Sequence, residues 1–314
     1  MKFEEILSAV KASIWSLRDR CIGYLLLRKQ RRLSRLISNE LPEALLNGNI
    51  YLVYQPKFNL QNNNYDGVEV LLRWNHVRFG EIDRGELFRV VEKSGQVHSL
   101  TLWILQRVLE DQIGIGDQML LPFNINVSGQ SLCNDKFISA FCTLATKSLA
   151  SIGVEITETA FIADPRAALA NLVRLSSIGI RISIDDYGSG HSSLAYLKEL
   201  PADEIKIDRL FISGMTKSNR DPLIVRSTID LAHALGMQVV AEGVESQATL
   251  ALLRMMGCDV AQGFYISPAL LIADLRVFIA DPQNLHRLSC TGVSVTPSRA
   301  FWARDERSAG ADRA

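Results

Sequence analysis

The chain alternates short apolar segments of strand-like composition with longer segments of helical periodicity. Eight strands are predicted, at residues 51–56, 67–74, 121–127, 152–156, 180–184, 204–207, 238–242 and 259–263. Helical patterns lie between them, at residues 87–111, 135–149, 164–177, 192–200, 222–235 and 246–256. Strands that alternate with helices indicate an α/β protein with a mostly parallel sheet. Eight strands favour a closed TIM-like (β/α)8 barrel, although periodicity alone also allows a doubly wound fold.

The two ends of the chain differ from this alternating region. Residues 1–36 have apolar positions at helical spacing and a basic second half, which predicts an extra amphipathic N-terminal helix. It could be a signalling or dimerisation helix, a helix on a membrane surface, or a solvated helix packed against the domain edge. A separate short helix is expected next, with Asn39 as its N-cap. The barrel domain is assigned to residues 37–282, and residues 283–314 are predicted to be a disordered tail.

Composition and charge narrow the class of protein. The 314 residues carry 34 Lys+Arg and 34 Asp+Glu, so no excess of basic charge indicates binding to a DNA or RNA polymer. The five cysteines have no metal-binding spacing, as is typical of reduced thiols in a cytoplasmic protein. No apolar run approaches the roughly 18–20 residues of a membrane helix. We therefore expect a cytoplasmic protein, with peripheral membrane attachment through the basic N-terminal helix as an open alternative.

Polar residues at the ends of the predicted strands are the candidate chemistry, because the carboxyl ends of barrel strands carry the site in this architecture. They are Gln55, Glu69, Asn126, Glu155, Asp185, Asp186, Lys206, Glu242 and Gln262. Carboxylates that meet at one rim repel one another unless a cation lies between them. Hard oxygen ligands suit Mg²⁺ or Mn²⁺, which would remove that repulsion.

Two adjacent aspartates, Asp185 and Asp186, could bridge a pair of metal ions that together activate water and bind a phosphoryl group. Lys206 would add positive charge near the attacking water or the phosphate. A single acidic residue at a strand end is more commonly a helix cap or part of a surface salt bridge, and the two aspartates could simply form a turn. However, a polar residue that could bind a metal ion recurs at nearly every predicted strand end, and this recurrence favours a metal-dependent phosphoryl hydrolase.

Taken in order, these motifs resemble the EAL domain family, whose members hydrolyse the bacterial messenger cyclic di-GMP to linear pGpG. The resemblance spans about residues 37–282. The matching stretches are Tyr54-Gln-Pro56, Glu69-Val-Leu-Leu-Arg-Trp74, Asn126-Val-Ser128, Glu155-Ile-Thr-Glu158, Asp185-Asp-Tyr-Gly-Ser-Gly-His-Ser-Ser-Leu194, Leu200-Pro-Ala-Asp-Glu-Ile-Lys-Ile-Asp208, Ala241-Glu-Gly-Val-Glu245 and Gln262-Gly263. The resemblance implies an EAL-type barrel, two Mg²⁺ or Mn²⁺ ions in each site, and phosphodiesterase activity.

The resemblance also implies roles for individual residues. The ligands of the first metal ion would be Glu69, Asn126, Glu155 and Asp185. The ligands of the second would be Asp185, Asp186 and Glu242. The catalytic residues would be Glu69, Lys206, Glu242 and Gln262, with Lys206 assisting the attacking water and Gln262 positioning it. The substrate contacts would be Gln55, Arg73, Lys206 and Tyr265.

Other implied features concern regulation. Glu158 would anchor the mobile loop after Asp186, which in the family couples dimerisation to metal binding. A homodimer is therefore expected, and the N-terminal helix is a candidate binding site for a regulatory partner.

Several positions depart from the family pattern. Val70 replaces the alanine of the signature, and it should point away from the face that carries Glu69. In the loop, Tyr187, Ser189 and His191 replace the more common Phe, Thr and Tyr, and His191 is interpreted as a packing residue. None of these changes removes an implied metal ligand. This favours the enzyme over a non-catalytic cyclic di-GMP receptor that regulates a protein partner, and over a scaffold that binds no nucleotide.

Overall fold

The computed structural model describes residues 34–113, 121–161, 164–188, 197–216, 218 and 220–289. Within them the strands are β1 Ile50–Asn59, β2 Asn64–His76, β3 Gly80–Glu81, β4 Phe123–Asn126, β5 Ile152–Thr157, β6 Arg181–Tyr187, β7 Glu204–Ile207, β8 Gln238–Ala241 and β9 Val260–Gln262. The strands form one sheet in the order β1-β9-β8-β7-β6-β5-β4-β2-β3, and β1 also pairs with β2. That last pairing closes eight strands into a barrel, which confirms the TIM-like α/β fold.

One strand of the barrel runs against the others. The neighbours from β2 through β4 to β9 pair in parallel, whereas β1 is antiparallel to β9, with Lys57 opposite Gln262. Gln262 ends β9, so residues of β1 before Lys57 extend toward the rim where the parallel strands end. Gln55 therefore reaches this rim from the middle of β1, and its predicted position at a strand end is corrected.

The helices lie largely where the 3.6-residue periodicity predicts them. Residues 34–46 are helical. The others are Arg84–Lys93, Val97–Ile113, Gly129–Leu132, Asp135–Ala145, Pro165–Ser177, Arg209–Gly214, Asp221–Ala234, Gln247–Met255, Ile272–Ala280 and Pro282–Ser289, with a 3-10 turn at Glu158–Phe161. Their starts follow ordinary capping chemistry: the Asp164 side chain accepts from the backbone N–H of Ala167, and a proline occupies the first turn.

Two predicted helices are wrong in detail. The helix predicted at residues 87–111 is interrupted at Gly95, whose φ of 72° places it in the left-handed region that ends helices. The predicted start of a new helix at Asn39 is also wrong, because residues 34–46 form one continuous helix. Ile37, Leu41 and Ala44 are buried at helical spacing along it, so burial of this face outweighs the local capping preference.

By its internal contacts the chain divides into two compact units. The first comprises Met1–Leu52 and Leu72–Trp103, and its described residues include the buried Trp74 and Leu100. The second comprises Val53–Leu71 and Ile104–Ala314 and contains most of the barrel strands, whose apolar residues are fully buried. Except for Arg73, every implied site residue belongs to the second unit.

The two predicted terminal segments fall mostly outside the described residues. Residues 1–33 of the predicted N-terminal helix and residues 290–314 of the predicted tail lie there. Residues 283–289, which the predicted boundary assigned to the tail, are helical and include the buried Leu288, so this part of the tail prediction is corrected. The remaining domain boundaries stay a prediction. Across the described residues, no helix combines the length and the apolar character needed to cross a membrane.

Candidate active site

The polar side chains singled out in the sequence come together at the carboxyl ends of the parallel strands. Asn126 and Gln262 are the last residues of β4 and β9, and Glu242 directly follows β8. Glu69, Glu155 and Lys206 lie within strands, and their polar groups reach the same cluster. Parallel strands end at one edge, which is why residues distant in sequence meet here.

Lys206 is the centre of this cluster. Its Nζ lies 2.6 Å from Oε1 of Glu242, 2.7 Å from Oε2 of Glu155, 3.1 Å from Oδ1 of Asp185 and 3.6 Å from Oε2 of Glu69. The lysine is 0% exposed. One ammonium group is thus surrounded by four carboxyl groups, more than its single positive charge can balance.

Two carboxamides hold Glu69 in place. Gln262 donates from Nε2 to Oε2 of Glu69 at 2.5 Å and to Oε1 of Gln55 at 3.1 Å. Asn126 donates from Nδ2 to the other oxygen of Glu69 at 3.3 Å. Each carboxamide also carries an oxygen that can accept or ligate, so these residues remain suited to binding a cation or water.

The paired aspartates owe their arrangement to an irregular strand. Neighbouring residues of a regular strand point to opposite faces, yet β6 has one extra residue relative to β7 between Ile184 and Tyr187. Asp186 lies at this bulge with φ 56°, a left-handed conformation that is uncommon for a residue with a side chain. One ligand atom each from Asp185, Asp186 and Glu242 lie within 4.8 Å of one another.

Burial, and secondarily the neighbouring carboxylates, raise the pKa values of three acidic residues in the cluster. Burial raises the pKa of Glu242 to about 8, with Lys206 opposing the rise. Burial also raises the pKa of Glu69. For Asp186, burial, the charge of Asp185 and a hydrogen bond with Asp208 raise the pKa to about 6.

Glu155 behaves in the opposite way. Burial acts to raise its pKa, but the charges of Lys206 and Lys57 outweigh burial and hold the pKa at about 2. Burial likewise acts to lower the pKa of Lys206, and the carboxylates around it keep that pKa well above its usual value. Glu155 and Lys206 are therefore a charged pair at neutral pH.

The donor set fits divalent cations. The groups are carboxylate and amide oxygens, which are the ligands that Mg²⁺ and Mn²⁺ prefer. The three carboxylates of Asp185, Asp186 and Glu242 are close enough to share one ion. Burial raises the pKa of Glu242 and of Asp186, and a bound cation would favour their charged forms.

Three other residues with implied roles lie in different surroundings. Arg73 has its Nε 3.3 Å from Oε1 of Glu81 and donates from Nη1 to the carbonyl of Leu72. The guanidinium of Arg287 lies 5.4 Å from the ring centre of Tyr265. Glu158 follows β5 and is 8% exposed, and among the described residues neither of its carboxylate oxygens has a hydrogen-bond partner. The roles of all three stay predictions.

The structure describes only some of the positions that depart from the family pattern. Val70 is buried in β2, and Tyr187 ends β6. Ser189 and His191 lie outside the described residues, as does most of the helix predicted at residues 192–200.

Sequence reasoning missed two buried charged residues beside the cluster. Lys57 Nζ contacts Oε1 of Glu155 at 2.8 Å and Oε1 of Glu204 at 3.0 Å. Neither residue lies at the carboxyl end of a parallel strand, because Glu204 is the first residue of β7 and Lys57 lies in the antiparallel β1. The available signal was charge within otherwise apolar strand segments, which is costly to bury without a partner.

Comparison with known proteins gives consistent matches. The EAL domain matches residues 38–269. The bifunctional diguanylate cyclase/cyclic di-GMP phosphodiesterase MucR of Pseudomonas aeruginosa is 35% identical over 247 residues, which cover 77% of this chain and 36% of MucR. The cyclic di-GMP phosphodiesterase RocR of the same organism is 36% identical over 227 residues, covering 70% of this chain and 57% of RocR.

A solved structure agrees with these matches. The PaMucR phosphodiesterase in complex with c-di-GMP has a TM-score of 0.71 and 33% sequence identity, and the match covers 76% of this chain and 99% of that chain. The chain thus spans nearly all of this solved phosphodiesterase, but less than two thirds of the full length of MucR and RocR.

Proposed function

Because the chain belongs to the EAL domain family, we propose that it is a phosphodiesterase that hydrolyses cyclic di-GMP to linear pGpG. The observation that carries this proposal is the contact network around Lys206, which joins Glu69, Glu155, Asp185 and Glu242. A receptor that only binds the nucleotide does not require so many carboxylates at one point. The relatives MucR and RocR bear the name of this activity, which supports the same assignment.

The reaction would need two divalent cations, Mg²⁺ or Mn²⁺. Glu69, Asn126, Glu155 and Asp185 would hold one, and Asp185, Asp186 and Glu242 the other. Once bound, such a pair lowers the pKa of water and neutralises charge on a phosphoryl group. Glu69 and Glu242 would contribute to catalysis as ligands.

The remaining polar groups would orient the reactants. Lys206 stays protonated and would stabilise negative charge that develops on the phosphoryl oxygens. Gln262, held between Gln55 and Glu69, would position the attacking water. Water attack on phosphorus would break one phosphodiester and release a 3′-oxygen.

Substrate recognition would use groups around the rim. Gln55, Lys206 and Tyr265 are the proposed contacts, together with Arg73, whose planar guanidinium suits a phosphate oxygen. Glu158 would anchor the loop that follows Asp186.

Turnover of cyclic di-GMP in Mg²⁺ or Mn²⁺ tests the proposal, with pGpG measured by chromatography. Glu69→Ala should lower the rate by more than about 100-fold. Mutations of residues that only support the metal ligands already cost about 10–100-fold in metal affinity or activity. Glu110→Ala is the matched control, because Glu110 is an exposed glutamate on the helix Val97–Ile113. Tight binding without turnover in the unaltered protein would instead indicate the receptor, and no binding would indicate a scaffold.

The assembly is a separate proposal. The chain would form a homodimer and would bind a regulatory partner through residues 1–36. Sedimentation of the full chain and of a chain lacking those residues tests the homodimer and the contribution of residues 1–36 to it. A full chain that sediments as a monomer at all concentrations would contradict the homodimer.

A further inference from the structure

We propose that Lys57 is a positioning residue that fixes one oxygen of Glu155 so that the other faces the metal cluster. The inference rests on the proposed cation site and concerns a residue that the family motifs above do not include. Lys57 is 1% exposed and lies in β1, two residues beyond Gln55 and therefore deeper in the barrel.

The two oxygens of Glu155 have different partners. Oε1 accepts from Nζ of Lys57 at 2.8 Å and from Nδ2 of Asn124 at 3.2 Å. Oε2 accepts from Nζ of Lys206 at 2.7 Å, on the side of the carboxylate cluster. The terminal torsion of a glutamate is broad and nearly two-fold, so a carboxylate without such partners can rotate. The two donors on Oε1 prevent this rotation and leave Oε2 as the oxygen available to a cation.

The position of Lys57 is itself fixed by Glu204, the first residue of β7. Its Nζ lies 3.0 Å from Oε1 of Glu204, and the Ser183 hydroxyl donates to that same oxygen at 2.8 Å. The connected groups run from Ser183 through Glu204 and Lys57 to Glu155. A chain of buried hydrogen bonds in which each member is satisfied holds its members rigidly.

A glycine provides the space for this arrangement. Gly153 lies two residues before Glu155 in β5, so both positions face the same side of the strand. A Cβ atom at Gly153 would lie 2.7 Å from Oδ1 of Asn124, too close for an ordinary contact. The missing side chain thus leaves room for the amide that holds Glu155.

A contribution to stability alone does not account for the buried ion pair of Lys57 and Glu155. Removing a lysine and a carboxylate from water is costly, and apolar residues of similar volume often stabilise a core equally well. Metal-binding side chains, in contrast, need outer partners that orient them, and loss of such a partner typically costs 10–100-fold in metal affinity.

Lys57→Met tests the inference, with Mn²⁺ affinity measured by electron paramagnetic resonance in the absence of nucleotide. We expect affinity to fall by about 10–100-fold. At saturating Mn²⁺ the rate of pGpG formation should recover, with the KM for cyclic di-GMP unchanged. A merely structural role would lower the amount of active protein at every metal concentration without moving the metal midpoint. Lys136→Met, at an exposed lysine, is the matched control.

A second variant controls for folding, because Lys57→Met leaves Glu204 buried without its cation. Lys57→Met combined with Glu204→Gln removes both charges, and the same loss of Mn²⁺ affinity is expected. Unchanged Mn²⁺ affinity in either folded variant would overturn the inference. Failure of the double variant to fold would also overturn it, and so would an unaltered protein that binds no Mn²⁺. If the unaltered protein binds Mn²⁺ but yields no pGpG, the proposed activity fails and the role of Lys57 is still decided by affinity.

Discussion

At the scale of single residues, the site is governed by charge balance. Lys206 faces the carboxylates of Glu69, Glu155, Asp185 and Glu242, and it neutralises only part of their charge. Within the described part of the chain, Glu155 is the one of these four that also contacts a second cation, Lys57. Its pKa is held at about 2, whereas burial raises the pKa of Glu242 to about 8. The carboxylates therefore differ in how much they gain from a bound ion.

This difference predicts a pH dependence for the metal-free protein. Between the ordinary value of 4.5 and the folded pKa of about 8 for Glu242, the unfolded chain has lost a proton that the folded chain still holds. Each rise in pH through this window therefore favours unfolding, and from pH 6 to pH 8 the free energy of unfolding should fall by up to about 2 kcal/mol. Urea denaturation in a chelator measures this change.

Glu242→Gln is the control for this slope. The variant cannot titrate at this position, so its stability should change less between pH 6 and pH 8. An equal slope in the variant and the unaltered protein would show that other groups cause it.

Much of the site could be predicted from the sequence. Glu69, Asp185 and Lys206 are predicted as site residues because polar groups recur at nearly every predicted strand end, and the carboxyl ends of barrel strands meet at one rim. Lys57 and Glu204 were missed because their importance depends on which strands become neighbours across the barrel. The bulge that allows Asp186 to join Asp185 was equally hidden, since it arises from pairing with β7.

At the scale of secondary-structure elements, local pattern predicted most strands but not their direction. Nothing in the apolar run of β1 distinguishes a parallel from an antiparallel strand, and the antiparallel pairing with β9 is what brings Gln55 to the rim. For the helices, too, some features are predictable from local pattern and others are not. Their apolar faces were evident, but the end of Arg84–Lys93 depends on the backbone conformation of one glycine.

Gly95→Ala tests the importance of that helix end. A residue with a Cβ in the left-handed conformation costs about 1–2 kcal/mol, so the free energy of unfolding should fall by about 1 kcal/mol. Gly85→Ala, in the first turn of the same helix, should cost less, because Gly85 is not in the left-handed region and its added Cβ would meet only Oδ1 of Asp83, at 3.3 Å. Denaturant unfolding of both variants gives the comparison, and equal effects would contradict this explanation of the break.

At the scale of the whole molecule, closure of the barrel determines the site. The β1–β2 pairing joins the two ends of the row of strands, so that residues from Gln55 to Gln262 share one rim. The count of strands in the sequence favours this closure over a doubly wound sheet, and the β1–β2 pairing confirms it. The contacts inside the barrel do not follow from that count. The proposed cation site would also link folding of the barrel to cations.

Cations should therefore stabilise the folded protein. At about 100 times its Kd, an ion that binds only the folded state adds about 2.7 kcal/mol. The melting temperature in Mg²⁺ should accordingly exceed that in a chelator by several degrees. Asp185→Asn should reduce this increase, because Asp185 is shared between the two implied ligand sets. The same increase in both proteins would indicate that Mg²⁺ binds elsewhere.

The line of alternating charges from Glu204 through Lys57 and Glu155 to Lys206 also has a thermal consequence. Hydration of charged groups carries a strongly negative entropy, so the free-energy cost of removing these groups from water decreases as temperature rises. The barrel interior around the site is thus least costly to assemble when the protein is warm. The buried charges of Lys57 and Glu204 should therefore cost less stability in a lineage that grows at high temperature, while Lys57 keeps its proposed role of orienting Glu155.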